Sequence, residues 1–121
     1  MENKLLVVTL CGSTKFKEEY LEATKSEILA GHLVFSVGGF PHADGWELTR
    51  EQKALVDIVH FHKIALSDEI LVLNVGGYIG ESTEREIIYA ASLGKKIRWL
   101  EEPSREIREL VGRLQVQAEK R

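Results

Sequence analysis

The sequence has 121 residues, which predicts a single domain over residues 1–121 and excludes a two-domain enzyme with its site in an interdomain cleft. Its 16 basic and 19 acidic side chains give a net charge of −3, so a nucleic acid polymer is not expected as a partner. The apolar runs are far shorter than a membrane span and no signal-peptide pattern opens the chain. We therefore expect a cytoplasmic protein with no membrane contact.

Four short apolar runs alternate with longer segments of helical periodicity. The runs are Leu5 to Leu10, Leu33 to Val37, Glu69 to Val75 and Lys96 to Leu100. They are nearly continuous in apolar residues, which is typical of strands buried on both faces of a parallel sheet. The alternation predicts an α/β fold of the flavodoxin-like, Rossmann-like type. In this fold a doubly wound parallel sheet of order 2-1-3-4 carries helices on both faces.

The segments after the strands predict four helices. Their expected spans are Thr14 to Ala30, a helix from Thr49 onwards, Ser82 or Thr83 to Gly94, and a helix from Pro103 and Ser104 onwards. Thr49 and Gln52 have the spacing of a capping box. The residues expected to face the core are Phe16, Tyr20, Ala23 and Ile28 in the first helix, Leu55, Ile58, Val59 and Leu66 in the second, and Ile107, Leu110, Val111 and Leu114 in the last.

The loop after the first strand is the first candidate binding element. In the predicted strand order the chain reverses direction between strands one and three, so a crevice opens at their carboxyl ends. Gly12 permits a tight turn, and Ser13 and Thr14 are expected at a helix start, where free N–H groups and hydroxyls bind a phosphate or carboxylate. The structural alternative is that Ser13 or Thr14 only caps the helix. Cys11 is interpreted as a small buried thiol rather than a nucleophile.

The loop after the third strand, residues 74–83, lies at the same crevice. It begins at Asn74, and it holds three glycines, among them Gly80, that let main-chain atoms approach a ligand. Ser82 and Thr83 offer hydroxyls at the start of the next helix. Glu86 is expected in the first turn of that helix. Either it closes a capping box with Thr83, or its carboxylate faces the sugar of a bound nucleotide and stabilises or attacks an oxocarbenium ion.

Other residues and motifs favour or exclude particular ligands and cofactors. Phe40 and Trp46, in the loop after strand two, either stack on a nucleobase or cover the core or a subunit interface. The chain lacks a P-loop and a G-x-G-x-x-G turn, and Asn74 stands where a phosphoreceiver domain needs an aspartate. His60 and His62 point about 200° apart on a helix, so we expect no metal site. No cofactor is expected, although Trp46 and the hydroxyl-rich first loop leave a flavin-binding protein as an alternative.

Three stretches of the sequence together resemble the nucleoside 2-deoxyribosyltransferase-like superfamily, in particular its small bacterial and phage branch. They are residues 10–13, residues 67–74, and residues 86–90 followed by Gly94 and Lys95. The superfamily includes nucleoside deoxyribosyltransferases and nucleoside 5′-monophosphate N-glycosidases. The resemblance implies a flavodoxin-like sheet, a nucleoside or nucleotide substrate, and cleavage of the N-glycosidic bond by Glu86. It also implies phosphate and sugar binding near Ser13 and Ser82, and a homodimer or higher homo-oligomer whose neighbouring copy helps close the pocket.

The chain departs from the transferases at residues that matter for proton transfer. At one position where the transferases usually have an aspartate, this chain has His60, and the nearest carboxylate upstream is Asp57, about one turn away. At a second aspartate position of the transferases, this chain has Gly80. The acid that protonates the leaving base is therefore unassigned between Asp57 and His60. The leading hypothesis is N-glycosidic cleavage of a nucleoside 5′-monophosphate or nucleoside, by hydrolysis or deoxyribosyl transfer. The alternative is a nucleotide-binding sensor or accessory module without turnover.

Overall fold

The computed structural model describes residues 4–120, with the exception of the side chain of His42. Its core is a four-stranded parallel sheet in the order β2-β1-β3-β4, which confirms the predicted α/β fold and strand order. The strands are β1 (Val7–Cys11), β2 (Leu33–Phe35), β3 (Glu69–Val72) and β4 (Lys96–Trp99). The central pair is in register from Val8 opposite Glu69 to Cys11 opposite Val72. The carboxyl ends of β1 and β3 therefore lie side by side.

Within residues 4–120, five helices connect and follow the strands. They are α1 (Lys17–Leu29), α2 (Pro41–Asp44), α3 (Arg50–Leu66), α4 (Glu81–Ser92) and α5 (Arg105–Glu119), with a single 3₁₀ turn at Val75–Gly77. The short α2 interrupts the loop after β2, where the sequence predicted irregular structure. Among the described residues, none of the helices is both long and apolar enough to cross a membrane.

The sheet separates two apolar clusters because successive side chains of a strand point to opposite faces. On one face, Val8 and Leu10 of β1 pack with Tyr20 of α1 and with Leu71 and Leu73. The residues of the other cluster are Cys11, Ile64, Ile70, Val72, Ile87, Ala90, Ala91, Ile107 and Val111, drawn from β1, β3, α3, α4 and α5. Cys11 and the inward sides of α3 and α4 thus share one face of the sheet.

The capping and packing of α5 and the start of α3 agree with the sequence predictions. Thr49 Oγ1 accepts from the Gln52 backbone N–H, and the Gln52 side chain accepts from the Thr49 N–H, so the capping box is complete. Ser104 caps α5 by accepting from the Ile107 N–H. The predicted apolar stripe of α5 faces the core, with Ile107 and Val111 buried and Leu110 and Leu114 packed against them.

The predicted inward stripe of α3 is wrong. Its members are largely exposed, with exposed fractions of 61% for Leu55, 54% for Ile58, 46% for Val59 and 73% for Leu66. The buried residues of this helix are His60 and Ile64. The main contacts of the helix are with β1 and α4, so a narrow stripe of α3 faces the protein and these four apolar side chains lie outside that stripe. Ile28, predicted to face inward from α1, is also exposed.

The predicted start of α1 is wrong as well. The helix begins at Lys17 with Phe16 as its N-cap, whereas the sequence placed Thr14 at its start. Residues 13–16 instead form a separate turn, in which the Phe16 N–H donates to the Ser13 carbonyl and the Lys15 N–H donates to Ser13 Oγ. This local hydrogen bonding competes with helix formation, as serine side chains commonly do near helix starts.

An ionic cluster ties α1 to the edge of the sheet. The Arg98 guanidinium of β4 donates to both carboxylate oxygens of Glu27, at 2.6 and 3.2 Å, and to Glu69 at 2.5 Å. His32 Nδ1 lies 2.8 Å from the Glu27 carboxylate. The Glu27 and Glu69 side chains are only 9% and 7% exposed, so their charges depend on Arg98 for compensation.

Candidate functional site

Three chemically different side chains meet beside the carboxyl end of β1. Cys11 is the last residue of that strand, His60 lies on the buried stripe of α3, and Glu86 points inward from α4. His60 Nε2 lies 3.6 Å from Cys11 Sγ and 3.6 Å from Glu86 Oε1. The crevice predicted from the strand order therefore has a titratable cluster at its β1 side.

Glu86 is a buried carboxyl group with an unsatisfied oxygen. Its side chain is 13% exposed, and Oε1 has no hydrogen-bond partner among the described residues. Burial disfavours the ionised form and raises the pKa of Glu86 to about 7, although a hydrogen bond with the Cys11 thiol acts in the opposite direction. Near neutral pH this carboxyl group therefore holds its proton about half of the time.

The two neighbours of Glu86 are uncharged near neutral pH. Burial lowers the pKa of His60 to about 4, with the nearby Lys63 charge as a second cause. Burial, together with the Glu86 charge, raises the pKa of the Cys11 thiol well above its usual value. Cys11 is thus a thiol rather than a reactive thiolate, in agreement with its interpretation from the sequence.

The cluster does not have the geometry of a nucleophile–histidine–acid relay. In such a relay the two ring nitrogens contact different partners, one the nucleophile and the other the acid. Here His60 Nε2 faces both Cys11 and Glu86, and His60 Nδ1 has no hydrogen-bond partner among the described residues. The Glu86 carboxyl group therefore has no histidine relay to a nucleophile.

A cavity of about 260 Å³ opens onto this carboxyl group. Its lining residues are Val37, Leu55, Val56, Asp57, Val59, His60, Lys63 and Glu86. Most of the lining comes from α3, and it combines four apolar side chains with two carboxyl groups, a histidine and a lysine. Lys63 Nζ donates to the Ser36 carbonyl at 2.6 Å, and Asp57 accepts from Lys53 at 2.7 Å. The combination of an apolar wall with a few convergent polar groups is typical of small-molecule sites.

The predicted residues of the first loop surround the crevice but do not line this cavity. The backbone at Gly12 passes so close to β3 that a Cβ there would lie 3.1 Å from the Leu73 side chain, and its carbonyl accepts from Tyr20 Oη at 2.7 Å. Ser13 and Thr14 lie in the turn before α1 rather than at the helix start, so neither is the N-cap that the sequence offered as the structural alternative. Ser13 Oγ accepts from the Lys15 N–H.

The predicted residues after β3 divide into structural and exposed positions. The Asn74 side chain is buried, and its amide exchanges two hydrogen bonds of 2.9 Å with the backbone of Glu101, so it anchors the end of β4. Gly80 is the N-cap of α4, and Ser82 and Thr83 lie in its first turn as predicted. Ser82 Oγ accepts from the Arg85 guanidinium at 3.3 Å, while Thr83 is buried.

Glu86 itself lies in the second turn of α4, whereas the sequence placed it in the first turn. The helix begins at Glu81, so Glu86 is its sixth residue, and the predicted capping box with Thr83 does not form. A residue at this position points back along the helix toward the sheet rather than around the helix end. The structural alternative offered by the sequence, that Glu86 caps its own helix, is therefore wrong.

Aromatic residues join the two loops at the crevice. Tyr78, after β3, stacks edge-on against Phe16 with ring centroids 6.0 Å apart, and the Lys15 ammonium lies 3.9 Å from the Tyr78 ring centroid. Phe40 packs against Tyr20 at 5.5 Å, so it covers the core, while Trp46 is 54% exposed. The contact through Tyr78 brings the two predicted binding loops together.

Sequence reasoning named Glu86 as the central residue and did not foresee its contact with Cys11 and His60. A signal for His60 was present, because it is four residues from Ile64 and shares its helix face, which makes it a polar residue on a buried stripe. Neither a protein-family model nor a curated protein sequence matches this chain.

Proposed function

We propose that this protein cleaves the N-glycosidic bond of a nucleoside 5′-monophosphate or nucleoside, with Glu86 as the nucleophile or electrostatic stabiliser. The observation that carries the proposal is the buried Glu86 carboxyl group, whose unpartnered oxygen opens onto a cavity at the switch point of a flavodoxin-like sheet. The resemblance of residues 10–13, 67–74 and 86–90 to the nucleoside 2-deoxyribosyltransferase-like superfamily supports the same reaction.

The reaction needs two carboxyl functions, and the cavity offers two. The C1′–N bond breaks as Glu86, in its ionised form, bonds to C1′ or stabilises the oxocarbenium ion, and the leaving base takes a proton. Water then adds to C1′ and loses a proton; where Glu86 has bonded to C1′, this step also breaks the C1′–Glu86 bond and regenerates the carboxylate. His60 is neutral at this pH, because its pKa is lowered to about 4. Asp57 and His60 both line the cavity, so either side chain can pass a proton from solvent to the leaving base.

Phosphate binding by Ser13 and Ser82 belongs to the same proposal. Two features support an anion near them. The loops that carry these residues are held together by Tyr78 and Phe16, and the Lys15 ammonium contributes a positive charge at their junction. Ser82 lies in the first turn of α4, where backbone N–H groups and the helix dipole favour a negative charge.

Release of free base tests the assignment of Glu86. A panel of ribo- and deoxyribonucleosides and their 5′-monophosphates is incubated with the protein in the presence of EDTA, and free base is followed by chromatography. Glu86→Gln should lower base release at least a hundredfold, whereas Glu84→Gln, an exposed residue of the same helix, should retain it. Asp57→Asn should lower the rate and change its pH dependence.

Two outcomes contradict this function. If Glu86→Gln releases base as fast as the parent, Glu86 is not the reactive group. If no substrate of the panel yields free base while a nucleotide raises the melting temperature of the protein, the chain is a nucleotide-binding module without turnover. The position of Ser13 in a turn outside the Glu86 cavity favours this second function, because it separates the expected phosphate site from the carboxyl group.

We also propose that a second copy of the chain completes the pocket. Leu55, Val56 and Val59 line the cavity and are 61%, 44% and 46% exposed, and Ile58 extends this apolar surface along α3. Exposed apolar surface continuous with a binding cavity is typical of an interface. Ile58→Lys should shift the molar mass measured by light scattering from dimer or higher to monomer, whereas Val116→Lys on α5 should not. A monomeric parent protein would refute this proposal.

A further inference from the structure

The cluster of Cys11, His60 and Glu86 contains buried polar atoms that have no hydrogen-bond partner among the described residues. One ligand-type atom from each residue lies within 4.8 Å of the other two. The 3.6 Å between His60 Nε2 and Cys11 Sγ is within hydrogen-bond range for sulfur, whereas the 3.6 Å between His60 Nε2 and Glu86 Oε1 is too long for a good hydrogen bond. His60 Nδ1 and Glu86 Oε1 are both buried without a partner among the described residues, and such groups normally find one.

The separations match those imposed by a single tetrahedral ion. With a metal–sulfur distance of about 2.3 Å and metal–nitrogen and metal–oxygen distances of about 2.1 Å, tetrahedral ligands lie about 3.6 Å apart for sulfur and nitrogen and about 3.4 Å apart for nitrogen and oxygen. The observed values are 3.6 Å for Cys11 and His60 and 3.6 Å for His60 and Glu86. The third pair, Cys11 Sγ and a Glu86 carboxylate oxygen, lies within 4.8 Å, so all three ligand atoms are close enough to approach one ion.

We propose that Cys11, His60 and Glu86 bind a divalent transition-metal ion such as Zn²⁺. Thiolate, imidazole and carboxylate together suit Zn²⁺ and its chemical relatives, whereas Mg²⁺ and Ca²⁺ prefer sites made only of oxygen. Three protein ligands leave a fourth position, and since His60 and Glu86 both line the cavity, that position faces the cavity rather than the core. The ion enters from the cavity, and Cys11 forms the inner end of the site.

The three ligands come from β1, α3 and α4, so no local sequence motif joins them. The histidine spacing, which predicted no metal site, considered only neighbours on one helix. An ion bound here would hold the Glu86 carboxylate and keep it from a substrate. This inference rests in part on the proposed function, since it makes metal binding an inhibitor of that reaction.

Cobalt binding tests the site directly. Cys11 is the only cysteine of the chain, so a thiolate-to-Co²⁺ charge-transfer band in the near ultraviolet reports this site alone. Protein stripped with a chelator and titrated with Co²⁺ should develop this band and intense tetrahedral visible bands at one equivalent, and Zn²⁺ should abolish them. Cys11→Ser should lose the near-ultraviolet band. His60→Gln should weaken Co²⁺ binding by about tenfold or more.

His62→Gln is the matched control, because it lies on the same helix, is exposed, and has no place in the cluster. It should bind Co²⁺ as the parent does. The proposal is overturned if the parent protein shows no charge-transfer band at stoichiometric Co²⁺, or if His62→Gln weakens binding as much as His60→Gln. The first result needs no variant, so the test does not depend on whether a variant folds.

The two proposals fail independently. Base release is measured with EDTA present, and metal binding is measured by absorption without any nucleotide. A charge-transfer band without base release supports the metal site and refutes the reaction. Base release without a band supports the reaction and refutes the metal site. If both hold, one equivalent of Zn²⁺ should suppress base release at least tenfold, and EDTA should restore it.

Discussion

Replacing Arg98 with methionine should destabilise the protein strongly and in a pH-dependent way. The substitution keeps much of the aliphatic stem and removes the cation that Glu27 and Glu69 share. Deleting one partner of a buried ion pair costs about 3 to 5 kcal/mol, because a charge is left buried and uncompensated. Arg98 is 30% exposed, so water replaces part of its effect, and we expect a loss of about 2 to 3 kcal/mol.

The sign of the pH dependence follows from Glu27. Its hydrogen bonds with Arg98 are the main reason that its pKa in the folded protein is below its ordinary value of 4.5. A group with a lowered folded-state pKa contributes stability that is fully present above the unfolded-state pKa and is lost as the pH falls through the folded-state value. The difference between the parent and Arg98→Met should therefore be largest near pH 7 and shrink progressively below pH 4.5.

Urea unfolding followed by far-ultraviolet circular dichroism at pH 7 and at pH 3.5 measures both effects. At pH 7 the melting temperature should also fall by about 10 °C, given about 3 to 6 °C per kcal/mol at this chain length. Arg105→Met is the matched control, because the Arg105–Glu109 pair is exposed and worth only about 0.3 to 0.5 kcal/mol. A loss below about 1 kcal/mol at pH 7, or an equal loss at both pH values, would refute the reasoning.

Two pairs of substitutions test the burial of apolar residues on α1 and α3 and the N-cap of α3. Ile64→Ala should cost about 2 to 5 kcal/mol, because Ile64 is fully buried, whereas Ile28→Ala should cost under about 1 kcal/mol, because Ile28 is 55% exposed. If urea unfolding shows equal losses of unfolding free energy for the two variants, Ile28 is buried as the sequence predicted. Thr49→Ala should cost about 1 kcal/mol through loss of the capping box, and Thr49→Ser should retain most of it. No difference between the two Thr49 variants in thermal unfolding would mean that the cap contributes little.

The sequence was sufficient for features that depend on short spacings. The strands follow from runs of apolar residues, and their parallel order follows from the alternation with helices and the handedness of crossovers. The Thr49 capping box and the apolar stripe of α5 follow from spacings of three and four residues. Glu86 was found because its position on the helix after β3 puts it beside the switch point.

Only the tertiary structure decided which faces are covered and which distant residues meet. Local periodicity places Leu55 and Ile58 on an apolar stripe, but their exposure depends on which side of α3 the rest of the protein covers. Elements β1 and α4 pack against the side that carries His60 and Ile64. The separate turn at Ser13 depends on one side-chain hydrogen bond that competes with the helix. The meeting of Cys11, His60 and Glu86 joins residues 49 and 26 positions apart, and helix packing against the sheet, rather than any spacing in the sequence, brings them together.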